Sequence, residues 1–300
     1  MLETMHNASM IFLSIVFESA PFILMGAFFS SLVLVFIPKE FFQKYLPANP
    51  LLSIPPALIL SAVFPVCECA IIPVIRGLVR KGMPLCAGAV FLVAAPILNP
   101  IVLASSFYAF RFDLQVVALR FGVAALVAVL VGLAVYIFLE SRPGFKLDRQ
   151  LPMSFEKQAS PGFFSFASWK RIFDHTVDEF FTVGKYFILG AGIASLFQTM
   201  LSQQMVFNLA ESVFISPLIM MFMAYVLSLC STADAFVAAS FAHTFPTMSI
   251  VAFLVFGPML DIKNTAMLLG YFPVRFVVVF VISVSIAVYL TVVTLHHILG

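Results

Sequence analysis

The sequence predicts an all-α polytopic membrane protein of about eight transmembrane helices, built as two homologous halves. Three observations predict it. Of the 300 residues, 62% are hydrophobic and 10% charged, whereas a soluble domain needs about 25% charged residues to cover a wet surface. Several apolar runs reach the roughly 20 residues that a helix needs to cross a hydrocarbon core. Those runs form two sets that resemble one another on either side of a basic stretch.

In order, the apolar segments fall at roughly 10–37, 51–66, 84–110, 115–139, 177–200, 212–229, 248–270 and 272–298. The first has no Lys or Arg in Met1–Met10 and no small-residue cleavage signature, so it reads as a retained helix rather than a signal peptide. Two further stretches, 67–82 and 230–246, are too short or too polar to be ordinary spans and read as re-entrant half-helices. The interruption at 140–175 carries Arg142, Lys146, Arg149, Lys157, Lys170 and Arg171, six of the sixteen basic residues. Basic residues near span ends stay on the cytoplasmic side. Arg76, Arg80 and Lys81 suit that side too, while 201–211 has no basic residue and suits the outside. Phe163, Phe164, Phe166 and Trp169, followed by Lys170 and Arg171, predict an amphipathic segment lying at the interface. The expected organisation is a first transmembrane repeat at 1–139, a basic cytoplasmic linker at 140–175 and a second repeat at 176–300.

The duplication rests on spacing. Phe91-Leu92-Val93-Ala94-Ala95-Pro96-Ile97-Leu98-Asn99 aligns with Phe253-Leu254-Val255-Phe256-Gly257-Pro258-Met259-Leu260-Asp261 at an offset of 162. Near that offset Cys67 meets Cys230, Glu18 meets Glu179 and Tyr108 meets Tyr271. Transporters are commonly built from such repeats, with the site at the repeat interface on interrupted helices. An even number of crossings per half makes the repeat parallel, an odd number inverted.

The residues that could carry chemistry lie at the interruptions. Pro65-Val66-Cys67-Glu68-Cys69-Ala70-Ile71-Ile72-Pro73 sets two thiols and a carboxylate between two prolines. A carboxylate at bilayer depth costs about 2.5–3.5 kcal/mol on insertion scales and so implies a partner or a task. Cys67 and Cys69 stand about 200° apart on a regular helix, which makes them a poor chelate by themselves. Their structural alternative is two packed cysteines, and the same alternative fits Cys86 best. Secreted disulfides do not suit four cysteines in apolar context. In the second half, Cys230-Ser231-Thr232-Ala233-Asp234 puts a thiol and a carboxylate four apart, hence on one helical face, with two hydroxyls between. Thiolate with carboxylate suits a soft or borderline metal, or a thiol-seeking metalloid; Cys67, Cys69, Cys230 and Asp234 are therefore possible metal ligands. The alternative for Asp234 is a carboxylate satisfied by hydroxyls or backbone amides.

Asn99, bracketed by Pro96 and Pro100, aligns with Asp261, which has Lys263 two residues on. Asp261 with Lys263 is either a compensating ion pair or a proton-coupling carboxylate with its counter-ion. Because burial penalises a charged carboxylate, Glu68, Asp234, Asp261 and Lys263 are the proton-coupling candidates. The substrate-binding set is Cys67, Glu68, Cys69, Asn99, Cys230, Ser231, Thr232 and Asp234. Glu18 and Glu179 could cap neighbouring helix ends, and Arg120 and Arg275 open the last helix of each half and are expected to snorkel to the interface. His296 and His297, at the end, are expected in solvent. No catalytic constellation, phosphate loop or dinucleotide motif is present, so the chain does not read as an enzyme and implies no cofactor. A net charge of +2 without a basic, aromatic-laced patch implies no nucleic acid.

At Pro65-Val66-Cys67-Glu68-Cys69, Pro96-Ile97-Leu98-Asn99-Pro100 and Cys230-Ser231-Thr232-Ala233-Asp234-Ala235-Phe236 the chain resembles the ArsP-like predicted permease family, which includes the YraQ-type bacterial permeases. The resemblance implies a multi-pass permease of the bacterial cytoplasmic membrane. One branch exports trivalent organoarsenicals, a task in which membrane cysteines are implicated; carried over here, it makes Cys67, Cys69 and Cys230 substrate thiols. The expectation is a secondary permease, possibly proton-coupled, exporting a thiol-reactive or metal- or metalloid-containing small solute. Two alternatives stand beside it: a divalent transition-metal (zinc) transporter, and a non-transporting membrane subunit that anchors a partner protein. The lipid bilayer is the certain partner, and a homo-oligomer stays open.

Overall fold

The computed structural model describes residues 2–36, 50–63, 67–141, 166–200, 214–242 and 244–299, and every regular element among them is helical. The all-α membrane class expected from composition is thus what the chain forms. Most of the basic stretch (142–165), the 201–211 loop and Pro65-Val66 lie outside the described residues.

The first half runs α1 (Leu2–Phe36), a 3-10 turn Pro50–Ser53 leading into α2 (Ile54–Val63), α3 (Glu68–Arg80), α4 (Leu85–Ala94), α5 (Pro100–Ala109) and α6 (Leu114–Val135). A π-helical turn, Tyr136–Glu140, ends it. The second half runs α7 (Phe166–Met200), α8 (Ile215–Leu227), α9 (Ala233–Ser240), α10 (Thr247–Met259), α11 (Ile262–Tyr271) and α12 (Val274–Leu299). Among the described residues six helices follow in the same order on each side, and α1 and α7 each have 35 residues. Helix α7 begins at Phe166, inside the stretch expected to be linker, so Lys170 stands exposed in its first turns.

Among the described residues, five helical stretches are long and apolar enough to cross a membrane: Met5–Leu32, Leu114–Glu140, Trp169–Thr199, Thr247–Tyr271 and Val274–Ile298. The chain is a multi-pass membrane protein. The expected span 84–110 is instead two ten-residue helices parted at Ala95–Asn99. Proline explains the break: Pro96 and Pro100 lack the amide hydrogens a continuous helix would use. In the second half the break is narrower, at Leu260 and Asp261, after Pro258. With 13 and 8 residues, α3 and α9 reach only about 20 and 12 Å, well short of a core roughly 30 Å thick.

The centre is built from α4 and α10. Every residue of α4 is buried, and the Thr247–Tyr271 stretch is 89% buried where the other four spans are 28–44%. Around this centre the packing of one half has a counterpart in the other. Helix α4 lies between α2 and α6, and α10 between α8 and α12; α6 and α12 join the halves. Two further crossings link them, α3 with α11 and α9 with α5. The long helices depart from this balance. They pack along each other, and α1 lies against α3 while α7 lies against α11, so both cover the same crossing.

Glycine makes that cover close. A Cβ on Gly26 of α1 would stand 2.6 Å from the Cα of Ala70, and one on Gly190 of α7 would stand 2.8 Å from the Cα of Lys263. Membrane helices approach this closely only through small residues, since lipid supplies no hydrophobic drive between them.

Candidate functional site at the crossings of the two halves

Each crossing is positioned by a capped helix start beside a helix break. At the first, Cys67 is extended (φ −75°, ψ 164°) and its carbonyl accepts from the amides of Ala70 and Ile71, which starts α3 and puts Glu68 in the first turn. Carboxylates are favoured there by the helix dipole. Opposite, Asp261 caps α11: its Oδ1 accepts from the Asn264 amide at 2.6 Å, and its carbonyl accepts the Thr265 hydroxyl at 2.7 Å. One residue into α11, the buried Lys263 ammonium reaches back across the seam. It lies 2.9 Å from Glu68 Oε1 and 3.3 Å from Asp261 Oδ2, and donates to the Ser228 carbonyl at 2.6 Å. The ammonium thus faces both carboxylates, with Asp261 Oδ2 held by charge alone and left without a hydrogen bond. The pair expected between Asp261 and Lys263 forms, but as part of a trio that includes Glu68 from the other half.

Ser228 is a further constraint. It ends α8 in the left-handed region (φ 48°, ψ 44°), unusual for a residue with a side chain, and this turns its carbonyl toward Lys263. Such strain costs of order 1–3 kcal/mol and persists where the surroundings impose it. Two residues on, Cys230 lies half-buried, its Sγ 3.5 Å from the Thr232 hydroxyl.

The second crossing repeats the plan with different chemistry. Asn99, aligned with Asp261, caps α5 by accepting from the Val102 amide at 2.8 Å. Its Nδ2 donates to the Ala95 and Pro96 carbonyls at 3.4 and 3.5 Å, so carbonyls freed by the prolines are satisfied locally. The cation comes from α6. Arg120 is 0% exposed and donates to Ser106 Oγ at 2.8 Å and to the Ser231 carbonyl at 2.9 Å. This overturns the expectation of a snorkelling arginine; Arg275 does stand exposed. Asp234, in the first turn of α9, is buried with Oδ2 unpartnered, and that oxygen would be 3.0 Å from a Cβ on Gly257 of α10. Glycine there leaves room for the carboxylate.

The two crossings lie close enough for their charges to act on each other. Asp234 is within electrostatic range of Arg120, Glu68, Lys263 and Asp261. The half-buried thiols Cys67 and Cys230, one per half, are within range of each other. Cys69 is buried beside Glu68 and Lys263, and Cys86 is fully buried in the core, with Ser53 Oγ at 3.8 Å. None of the four cysteines is in a disulfide. Among the described residues no three His, Cys, Asp or Glu side chains converge as metal ligands. Cys67, Cys69, Cys230 and Asp234 therefore make no preassembled chelate, because the two halves deliver them to neighbouring rather than shared positions. Ser231 contributes its carbonyl rather than its hydroxyl, and Thr232 lies against Cys230.

Nearby, Arg76 of α3 lies 4.4 Å above the Tyr271 ring and 3.8 Å from Glu179 of α7. Glu179 thus braces α3 and α11 rather than capping a helix end, whereas Glu18 is exposed. Sequence reasoning did not single out Arg120 in this role, nor Asn264, Gly26 or Gly190. The glycines carried a usable signal, standing 164 apart, close to the repeat offset.

Comparison with known proteins places the chain in a family. The chain is 39% identical over 278 residues, 93% of both proteins, to a Bacillus subtilis protein named "UPF0718 protein YcgR". It is 36% identical over 285 residues, 93% of this chain and 91% of the other, to a Streptococcus mutans protein named "Putative two-component membrane permease complex subunit". No solved structure matches the chain. Residues 4–297, nearly the whole chain, match the family described as predicted permease (ArsP_1), and the chain belongs to that family.

Proposed function

We propose that the protein is a secondary permease with duplicated halves that exports a thiol-reactive or metalloid-containing small solute along the seam between them. The observation that supports this best is the pairing at the seam: one half-buried thiol from each half, Cys67 and Cys230, next to a buried charged trio. Soft sulfur would hold the solute's electrophilic centre. Glu68, Asp234 and Asp261, with Lys263 as counter-charge, would couple movement to protons. Cys69 and Asn99 would shape the two crossings, with Ser231 and Thr232 ordering the Cys230 segment. The protein would sit in a bacterial cytoplasmic membrane with the basic stretch on the cytoplasmic side.

The test is sensitivity of a deletion strain to trivalent arsenicals, antimonials and divalent metals, complemented with wild type, Cys67→Ser and Cys230→Ser. Protection by wild type against a thiol-reactive metalloid, lost in both serine variants at equal expression, supports the reading. Protection confined to zinc, or retained in both variants, rejects it. The Streptococcus mutans relative's name, which includes "complex subunit", favours a second reading in which this chain works with a partner protein. In that case export needs the partner co-expressed.

A further inference from the structure

Beside the trio lies a cavity of about 10 Å³, room for roughly one water. Two of its lining residues are polar, Glu68 and Asn264; the others, Ile71, Leu92, Met259 and Phe280 among them, are apolar. Glu68 Oε2 and Asn264 Oδ1 are both buried without a hydrogen-bond partner. Both are acceptors. Lys263 Nζ lies 2.9 Å from Glu68 Oε1, donates to the Ser228 carbonyl and stands 3.3 Å from Asp261 Oδ2, which is itself left without a hydrogen bond; none of its donors reaches Oε2. Counting charges, Glu68 and Asp261 against Lys263 leave one negative charge buried among apolar side chains. An uncompensated buried charge costs several kcal/mol, and it is removed by one positive charge at Oε2.

We propose that Glu68 Oε2 and Asn264 Oδ1 form a binding site for a single monovalent cation, taken up either as a proton carried with one water or as a sodium ion. The site rests on the transport reading and deepens it, since it names the residue pair at which the driving ion is held. Loading would neutralise Glu68 and loosen its hold on Lys263. Lys263 also fixes the strained Ser228 carbonyl two residues ahead of Cys230, so ion occupancy is connected to the thiol segment of the other half. The other charged and titratable groups facing Glu68 are Asp261 and Lys263 from the α11 side, Glu18 from α1, Cys67 and Cys69 from its own helix start, Cys230 and Asp234. None supplies Oε2 with a donor.

The experiment uses the purified full chain in nanodiscs. Thermal stability is followed against sodium chloride with choline chloride balancing ionic strength, and separately against pH, alongside the infrared band of a protonated carboxylic acid. A sodium site predicts a saturable rise in Tm with sodium, absent with choline. A proton site predicts no sodium response and a carboxylic acid band that titrates with pH. In either case Glu68→Gln abolishes the response, and Asn264→Ala, which keeps the carboxylate, weakens apparent affinity about tenfold. Should Glu68→Gln fail to fold, Asn264→Ala alone decides. A response unchanged in Asn264→Ala, or absent in wild type as a neutral water would leave it, overturns the proposal. Solute export by the same variants is measured separately: loss of the cation response in Glu68→Gln with the metalloid phenotype intact refutes the role of this site as the driving-ion site alone, and cation binding by wild type without any export refutes the transport reading alone.

Discussion

The two crossings of the halves share a plan and differ in charge. At α3 with α11, an acid caps the broken helix (Asp261), an acid opens the short helix (Glu68) and a lysine binds both across the seam. At α5 with α9, an amide caps the broken helix (Asn99), the acid again lies in the first turn of the short helix (Asp234), and an arginine from α6 bonds a hydroxyl and a carbonyl instead of a carboxylate. The first carries a net negative charge and is covered by α1 and α7; the second is neutral and, among the described residues, lies away from those two helices. The difference teaches that one scaffold can present a tight ionic lock on one side and a looser polar contact on the other. On the carrier reading proposed above, the looser crossing is the one placed to release first.

The comparison breaks hardest at Lys263. Lys263→Met leaves Glu68 and Asp261 buried together, so we expect a loss of about 3–5 kcal/mol and poor yield by fluorescence-detected gel filtration. Adding Glu68→Gln to Lys263→Met should recover much of the loss. Arg120→Met should cost less, about 1.5–3 kcal/mol in Tm-derived stability, because its hydrogen bonds go to neutral oxygens and the single carboxylate it faces at longer range, Asp234, can take up a proton once the arginine is gone. Equal losses for the two cations would erase the distinction between the crossings. Gly26→Val and Gly190→Val, which push α1 off Ala70 and α7 off Lys263, should each cost about 1–3 kcal/mol. Asn99→Ala should remove only a cap, about 1 kcal/mol. The smallest change is expected from Gly257→Ala, which displaces the Asp234 carboxylate by a few tenths of an ångström; it should alter solute export more than Tm.

The fold class was legible because hydropathy is local, and the aligned Pro96-Ile97-Leu98-Asn99 and Pro258-Met259-Leu260-Asp261 already pointed to equivalent breaks. That Asn99 and Asp261 act as helix caps follows from the same residues, since Asn and Asp are favoured at N-caps. The partners were not legible. Glu68 meets Lys263 across about two thirds of the chain, and no local pattern encodes that approach. Arg120 misled for the same reason: near the start of an apolar helix it looked free to snorkel, but the Ser231 carbonyl that holds it lies 111 residues away. Nor could a broken span be told from a continuous one at 84–110 by hydropathy alone, since both halves of the break are apolar.

The most direct test of the account is uptake of a trivalent organoarsenical into inverted membrane vesicles containing the wild-type chain, compared with Cys67→Ser, Cys230→Ser and vesicles lacking the protein. The seam reading predicts energised accumulation by wild type and its loss in each serine variant, with all three proteins equally folded. Accumulation no greater than in vesicles lacking the protein, or undiminished in both variants, would contradict it.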